Sequence, residues 1–238
     1  MADGMRDSAQ FMKGARRGIA GGAGLAFVLL SIVGIATIGH YPRPEETASA
    51  YVRYFAEHRD AILLTNALLS LANGALIIYF AHIKTSLSTQ AQPSPLPTLA
   101  FAGCLLLCAL GAAGAALTAG LAWFGTSGVP PAVVKLLQNL YYTTNAFSAM
   151  PAALAVGSVA LAAAARGAAR WLVLFSAAIA AIELAATFTL QGHGSFFSPA
   201  GTFGAPILYG SLTMWVLVTS LRWLSPLAVR DSKAVQPA

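Results

Sequence analysis

One acidic residue stands deep inside an apolar run: Glu183, in Ala-Ala-Ile-Glu-Leu-Ala-Ala at 180–186. A charge in hydrocarbon costs at least ~2.5–3.5 kcal/mol on insertion scales, and burial favours the uncharged acid. A neutral carboxyl can donate a hydrogen bond, carry a proton or hold the polar end of a ligand, which makes Glu183 the first candidate for a site. A structural hydrogen bond that pins neighbouring helices is the alternative, and the sequence leaves both open. Glu183 lies 13 residues beyond Arg170, about 20 Å along a helix. The same count back from Arg222 reaches Tyr209, and back from His82 to Lys84 it reaches the neighbourhood of Ser70. Asn66, Ser70 and Asn73 share a helix face by their spacing of four and seven. Pro151 removes a backbone donor and frees the Phe147 carbonyl, which a protonated Glu183 could satisfy. Just before it comes a polar run, Tyr141, Tyr142, Thr143, Thr144 and Asn145. The expected ligand-binding set is therefore Glu183, Tyr209, Asn66, Ser70, Asn73, Tyr141, Tyr142 and Asn145.

Other reactive residues point to less. His40, His58, His82 and His193 show no three- or four-residue pairing of the kind that builds a helical metal site, so no metal or cofactor is expected. Cys104 and Cys108 sit four apart in an apolar stretch, a spacing that fits packed thiols rather than a redox motif. The sequence has no Gly-rich phosphate loop, no nucleophile elbow and no basic stripe interleaved with aromatics, so no nucleic-acid partner is expected.

The elements that must position these residues follow from composition. Of 238 residues, 57% are apolar and only 9% charged, where an ordinary soluble domain carries about a quarter charged. Long uncharged runs recur at 18–38, 61–81, about 98–123, about 132–165, 171–190 and 204–221. Each exceeds or approaches the ~20 residues that cross ~30 Å of hydrocarbon as a helix. The reading is an all-α, six-span membrane bundle over 18–223, with tails at 1–17 and 224–238. The first run, uncharged for 21 positions, is too long for a cleavable signal and is expected to be retained. Ten Lys and Arg fall on the side of the termini and four on the other. Positive charge is retained in the cytoplasm, so both termini are expected inside, in the cell's inner (plasma) membrane.

In the first external loop, Pro42 and Pro44 break the chain, and Ala50, Tyr51, Tyr54 and Phe55 then recur at helical spacing. Arg53, Glu57 and Asp60 take the other face. This predicts a short interfacial helix with its rings at headgroup depth, or else a surface for a protein partner across 45–59. Segment 83–97, with three prolines, reads as a flexible connection. Loop 191–203 lacks any charge and alternates Gly with Phe, as either a lid or a plain turn could. Gly18 and Gly22 in span one, and Gly111, Ala115 and Ala119 in span three, are expected at tight helix contacts.

The layout resembles a group of bacterial six-span membrane proteins known as a domain of unknown function. Tyr-Pro-Arg-Pro-Glu-Glu at 41–46, Glu-His-Arg-Asp at 57–60, and Phe-Ser-Pro-Ala-Gly leading to Leu-Thr-Met-Trp-Val-Leu-Val carry the resemblance. It implies the fold and no activity. A second resemblance is to small integral-membrane terpenoid cyclases, and it implies Glu183 as general acid beside Tyr141, Tyr142, Phe147, Phe188 and Tyr209. That family uses two acidic positions within its spans and one span more, and this chain departs from it on both counts.

Three functions follow as expectations: binding or moving a small hydrophobic or amphipathic molecule around Glu183, acid catalysis on a lipid or terpenoid, or an accessory role. The first needs no second catalytic group and is preferred. Membrane lipid is the surrounding partner in all three.

Overall fold

A computed structural model of the chain describes residues 2–39, 41–88, 94–125, 128–191, 198 and 208–224, with side chains from residue 18 onward apart from 190, 191 and 208. Among them all regular structure is helical: α1 (Ala2–Ile38), α2 (Ala48–Glu57), α3 (Arg59–Leu87), α4 (Leu96–Phe124), α5 (Pro131–Phe147), α6 (Ala149–Ala165), α7 (Arg170–Thr187), a 3-10 turn (Phe188–Gln191) and α8 (Leu208–Leu224). Loop 191–203 lies almost wholly outside the described residues, as do His40 and His193.

The boundaries have local causes. Pro131 opens α5 at a position where a helix has no use for the missing N–H. Gly167, at φ +65°, ends α6: Gly167 N–H donates to Ala164 O and Ala168 N–H to Ala163 O, both at 3.0 Å. That is a Schellman stop, and it needs the left-handed conformation that glycine takes without steric cost.

Five apolar helical stretches, 18–38, 59–87, 96–124, 131–165 and 170–187, are long enough to cross a membrane. Their outward faces carry large apolar side chains, Leu29, Ile32, Leu71, Leu106, Leu161 and Leu174 among them, each more than half exposed. A water-soluble monomer does not present so much contiguous apolar surface. The fourth stretch is two helices, α5 and α6, that meet at Ser148. There Pro151 cannot donate, and Ser148 N–H forks between Thr144 O (3.2 Å) and Asn145 O (3.1 Å).

The helices close a ring. α1 packs on α3 and α8, α3 on α4, α4 on α6, α6 on α7 and α7 on α8. α5 lies against α4 and α2. We term the end that holds α2 outer, and the end that holds the start of α1 inner. Backbones approach most closely where α4 meets α6: a Cβ on Gly103 would stand 2.8 Å from both Ala155 N and Pro151 O. The tight positions of α1 are Gly21, against Leu224, and Gly24, against Ser220 and Tyr79. Gly18 and Gly22, expected there, have nothing within 4 Å, because they lie on the other face of the helix. On α4, Gly111 does face a neighbour, Asn73 Nδ2 at 3.4 Å.

α2 forms where the loop pattern placed a helix, but its rings pack inward on this chain. Tyr51 and Phe55 are buried with Ile38, Ile62, Leu121, Ala122 and Val134. Arg53, Glu57 and Asp60 stay exposed. α1, α3, α4 and α5 together supply the apolar residues that receive the rings, so the aromatic face of 45–59 is already occupied within the chain.

Candidate functional site

Glu183 is fully buried on the inward face of α7. Its Oε1 accepts a hydrogen bond from Ser211 Oγ on α8 at 2.5 Å, and its Oε2 has no partner among the described residues. Two residues before Ser211, the Tyr209 hydroxyl is within electrostatic reach of both Glu183 and Tyr141. Tyr141 in turn hydrogen-bonds with Asn145 on its own helix. The pair fits against α4 because position 114 is glycine: a Cβ there would lie 3.2 Å from the Tyr141 ring and 3.3 Å from Asn145 Oδ1.

From Tyr141 the polar layer continues to the outer end. The Tyr41 ring packs against Tyr141 (centroids 5.5 Å apart), Tyr54 (5.4 Å) and Tyr142 (6.4 Å). Tyr142 hydroxyl donates to Pro42 O at 3.0 Å, and Tyr54 hydroxyl to Ile38 O at 3.2 Å. Burial pushes the Tyr51 and Tyr54 phenols up to about 12, helped at Tyr51 by Glu46 and Glu45 and at Tyr54 by Tyr141. Burial also raises Tyr41 well above its ordinary value, and the nearby Tyr141 adds to this. Tyr41, Tyr51 and Tyr54 are neutral hydroxyls at neutral pH, able to donate and accept.

Inward of Glu183 the character changes. One helical repeat below it, Ser176 Oγ accepts from Trp215 Nε1 at 2.8 Å. Trp215 stacks on Phe80 with centroids 5.7 Å apart, and Leu76, Tyr79, Val156, Ile179 and Val216 fill the space around them, each 2% exposed or less. This plug fills the described bundle core on the inner side of the carboxyl.

The expected site residues divide into two groups. Tyr209 on α8 is within electrostatic reach of Glu183 on α7 and of Tyr141 on α5, while Tyr141 and Asn145 pack on α4 at Gly114, and Tyr142 lies one step outward. The α3 stripe meets α4: Asn66 Nδ2 donates to Thr118 Oγ1 at 3.1 Å, one turn from the Gly114 on which Tyr141 and Asn145 pack, and Asn73 O accepts from the Cys108 thiol. Ser70 is exposed and donates to Asn66 O at 2.7 Å. Matching depth does not establish facing, and α3 stands beside α1 and α4, away from α7. Glu183 bonds to Ser211 rather than to the Phe147 carbonyl. Phe147 and Phe188 point outward, more than half exposed, and so line no internal cavity. Lys135 lies at the outer end, donating to Glu46 O at 2.7 Å.

Ser211, Ser176 and Trp215 escaped the reading of the sequence. Ser211 was within reach of it: the depth count landed two residues away, and a hydroxyl within one turn of that point was the signal to seek. The chain matches no protein-family model, no curated protein and no solved structure.

Proposed function

We propose that the chain is a six-span integral membrane protein, both termini cytoplasmic, that binds or moves a small hydrophobic or amphipathic molecule in the outer half of the bundle around Glu183. α8 serves as the sixth span: its 17 residues rise about 26 Å and close the ring between α1 and α7.

The observation that carries the reading is Glu183 itself, a fully buried carboxyl with one oxygen held by Ser211 and the other without a partner among the described residues. An unpartnered buried polar group costs about 1–3 kcal/mol, a cost that a bound hydroxyl, amide or amine would offset. Tyr209, Tyr141 and Asn145 supply further hydroxyl and amide groups on the outer side, and the Trp215 plug fills the inner one. A few convergent polar groups in apolar surroundings are what sites for small amphipathic molecules are made of.

The test is a thermal-shift panel on the detergent-solubilised protein with terpenoid alcohols, fatty amides and fatty amines. A saturable stabilisation that Glu183→Gln weakens at least tenfold supports the reading. Equal shifts in wild type and variant, or none across the panel, contradict it.

A further inference from the structure

The two ends of the bundle carry cations in similar settings but with different balances of charge. At the outer end the sequence places Arg43, Arg53, Arg59 and Lys135 beside Glu45, Glu46, Glu57 and Asp60, four against four. Arg59 Nη1 lies 3.9 Å from Asp60 Oδ1. Among the described side chains the inner end holds Lys84, Arg166, Arg170 and Arg222 and no Asp or Glu, and by sequence the two tails add six Lys and Arg against Asp3, Asp7 and Asp231, an excess of seven positive charges in all.

Aromatic rings hold the inner cations at the ends of the spans. Arg222 Cζ sits 5.5 Å from the centroid of Trp171, and Lys84 Nζ 5.3 Å from that of Phe101. His82 meets Trp223 edge-on at 5.0 Å. Arg166 donates to the carbonyl of Leu87, which ties the end of α6 to the end of α3. Arg170 is exposed beside Trp171, itself 50% exposed. Tryptophans prefer the boundary between headgroups and hydrocarbon, and a cation stacked on a ring stays at that depth rather than reaching into water.

We propose that this inner belt, Lys84, Arg166, Arg170 and Arg222 set among Trp171 and Trp223, is a binding surface for the phosphate headgroups of anionic phospholipids. The belt has the charge sign, the depth and the interfacial rings that such a headgroup meets. A soluble acidic partner would not need the tryptophans. Outer cations show the same ring geometry, Arg59 on Trp123 at 5.7 Å and Lys135 on Tyr51 at 5.8 Å, but stand in a neutral setting. Stacking on a ring is thus common to both ends, and charge excess separates them. The surface is independent of Glu183.

Lipid competition read by native mass spectrometry tests this. The full-length protein is offered equimolar dioleoylphosphatidylglycerol and dioleoylphosphatidylcholine, with inorganic phosphate in a separate arm. Each basic residue at an anionic surface is worth about fivefold. Wild type should retain phosphatidylglycerol at least tenfold over phosphatidylcholine, and the triple change Lys84→Gln, Arg166→Gln, Arg170→Gln should bring the ratio close to one. Arg43→Gln with Arg53→Gln should leave it unchanged. If the triple variant does not fold, wild type alone decides: the preference should vanish between 0.1 and 1 M salt, where the screening length falls from about 10 to about 3 Å. Equal retention of both lipids, an equal loss in the outer variant, a salt-insensitive ratio, full competition by inorganic phosphate, or an acidic protein bound in place of lipid would each overturn the proposal.

Discussion

The outer and inner halves of this bundle are built from the same helices and packed to different ends. Inside, Trp215, Phe80 and their neighbours fill the ring, and the polar atoms among them find partners: Tyr79 donates to Thr219 at 2.6 Å, Thr219 to Trp215 O at 2.5 Å, and Trp215 to Ser176. Ser220 Oγ is the exception. Outside, α5 and α6 meet at Ser148, α5 lies against α2 and α4, and both side-chain polar atoms of Gln138, Asn139 Oδ1 and Glu183 Oε2 are buried without partners among the described residues. An apolar plug adds packing without polar cost, whereas each orphaned group subtracts about 1–3 kcal/mol. Among the described residues, most of the unsatisfied side-chain hydrogen-bonding capacity lies in the outer half. Functional sites commonly show that division.

The strongest challenge to the contrast removes the plug. Trp215→Ala deletes a fully buried indole together with its hydrogen bond to Ser176, and should cost about 3–5 kcal/mol, read by denaturant or thermal unfolding in detergent. A loss under 1 kcal/mol would mean that the inner half does not hold the bundle.

Next in size is a test of the α4 to α6 contact. Gly103→Val places carbon against backbone atoms of Ala155 and Pro151, which cannot give way as a flexible side chain would, and should destabilise by about 1–3 kcal/mol. Gly18→Ala and Gly22→Ala, with open space around them, should stay within about 0.5 kcal/mol of wild type.

A third comparison sharpens the outer half. Ser211→Ala strips Glu183 of its one described partner and should lower stability by about 1–2 kcal/mol, whereas Glu183→Leu removes the polar group altogether and should be neutral or stabilising. If Glu183 were a structural pin, both changes would destabilise alike.

A further effect lies in the cap. Tyr51 and Tyr54 stay neutral in the folded protein up to about 12, while an unfolded phenol ionises near 10.0. The unfolded chain therefore loses protons first, and their contribution to stability is complete below pH 10.0 and is lost as pH rises through about 12. Melting followed against tyrosinate absorbance should show the decline starting above pH 10.0. A melting temperature flat to pH 12 would put these rings in water.

How much of this was legible depended on whether a feature was periodic or relational. Five of the apolar helical stretches and the α2 helix follow from hydropathy and spacing, and their bounds differ from the structure by a few residues. Which helix faces which does not follow, because 3.6-residue periodicity fixes a face and not its neighbour. Asn66 and Ser70 matched Glu183 in depth and still lie on a helix that turns to α1 and α4. Tyr51 and Phe55 read as rings for a lipid interface because residues that bury them, Ile38, Leu121, Ala122 and Val134, are remote in sequence and meet only when α1, α4 and α5 pack together.

Native mass spectrometry of the gently solubilised wild type beside Glu183→Gln tests the central claim most directly. The account predicts a co-purifying small apolar or amphipathic molecule on wild type, absent from the variant, with both proteins equally stable. A protein that carries no such molecule in either form, and that loses stability in the variant, would make Glu183 a structural hydrogen bond and contradict the proposed site.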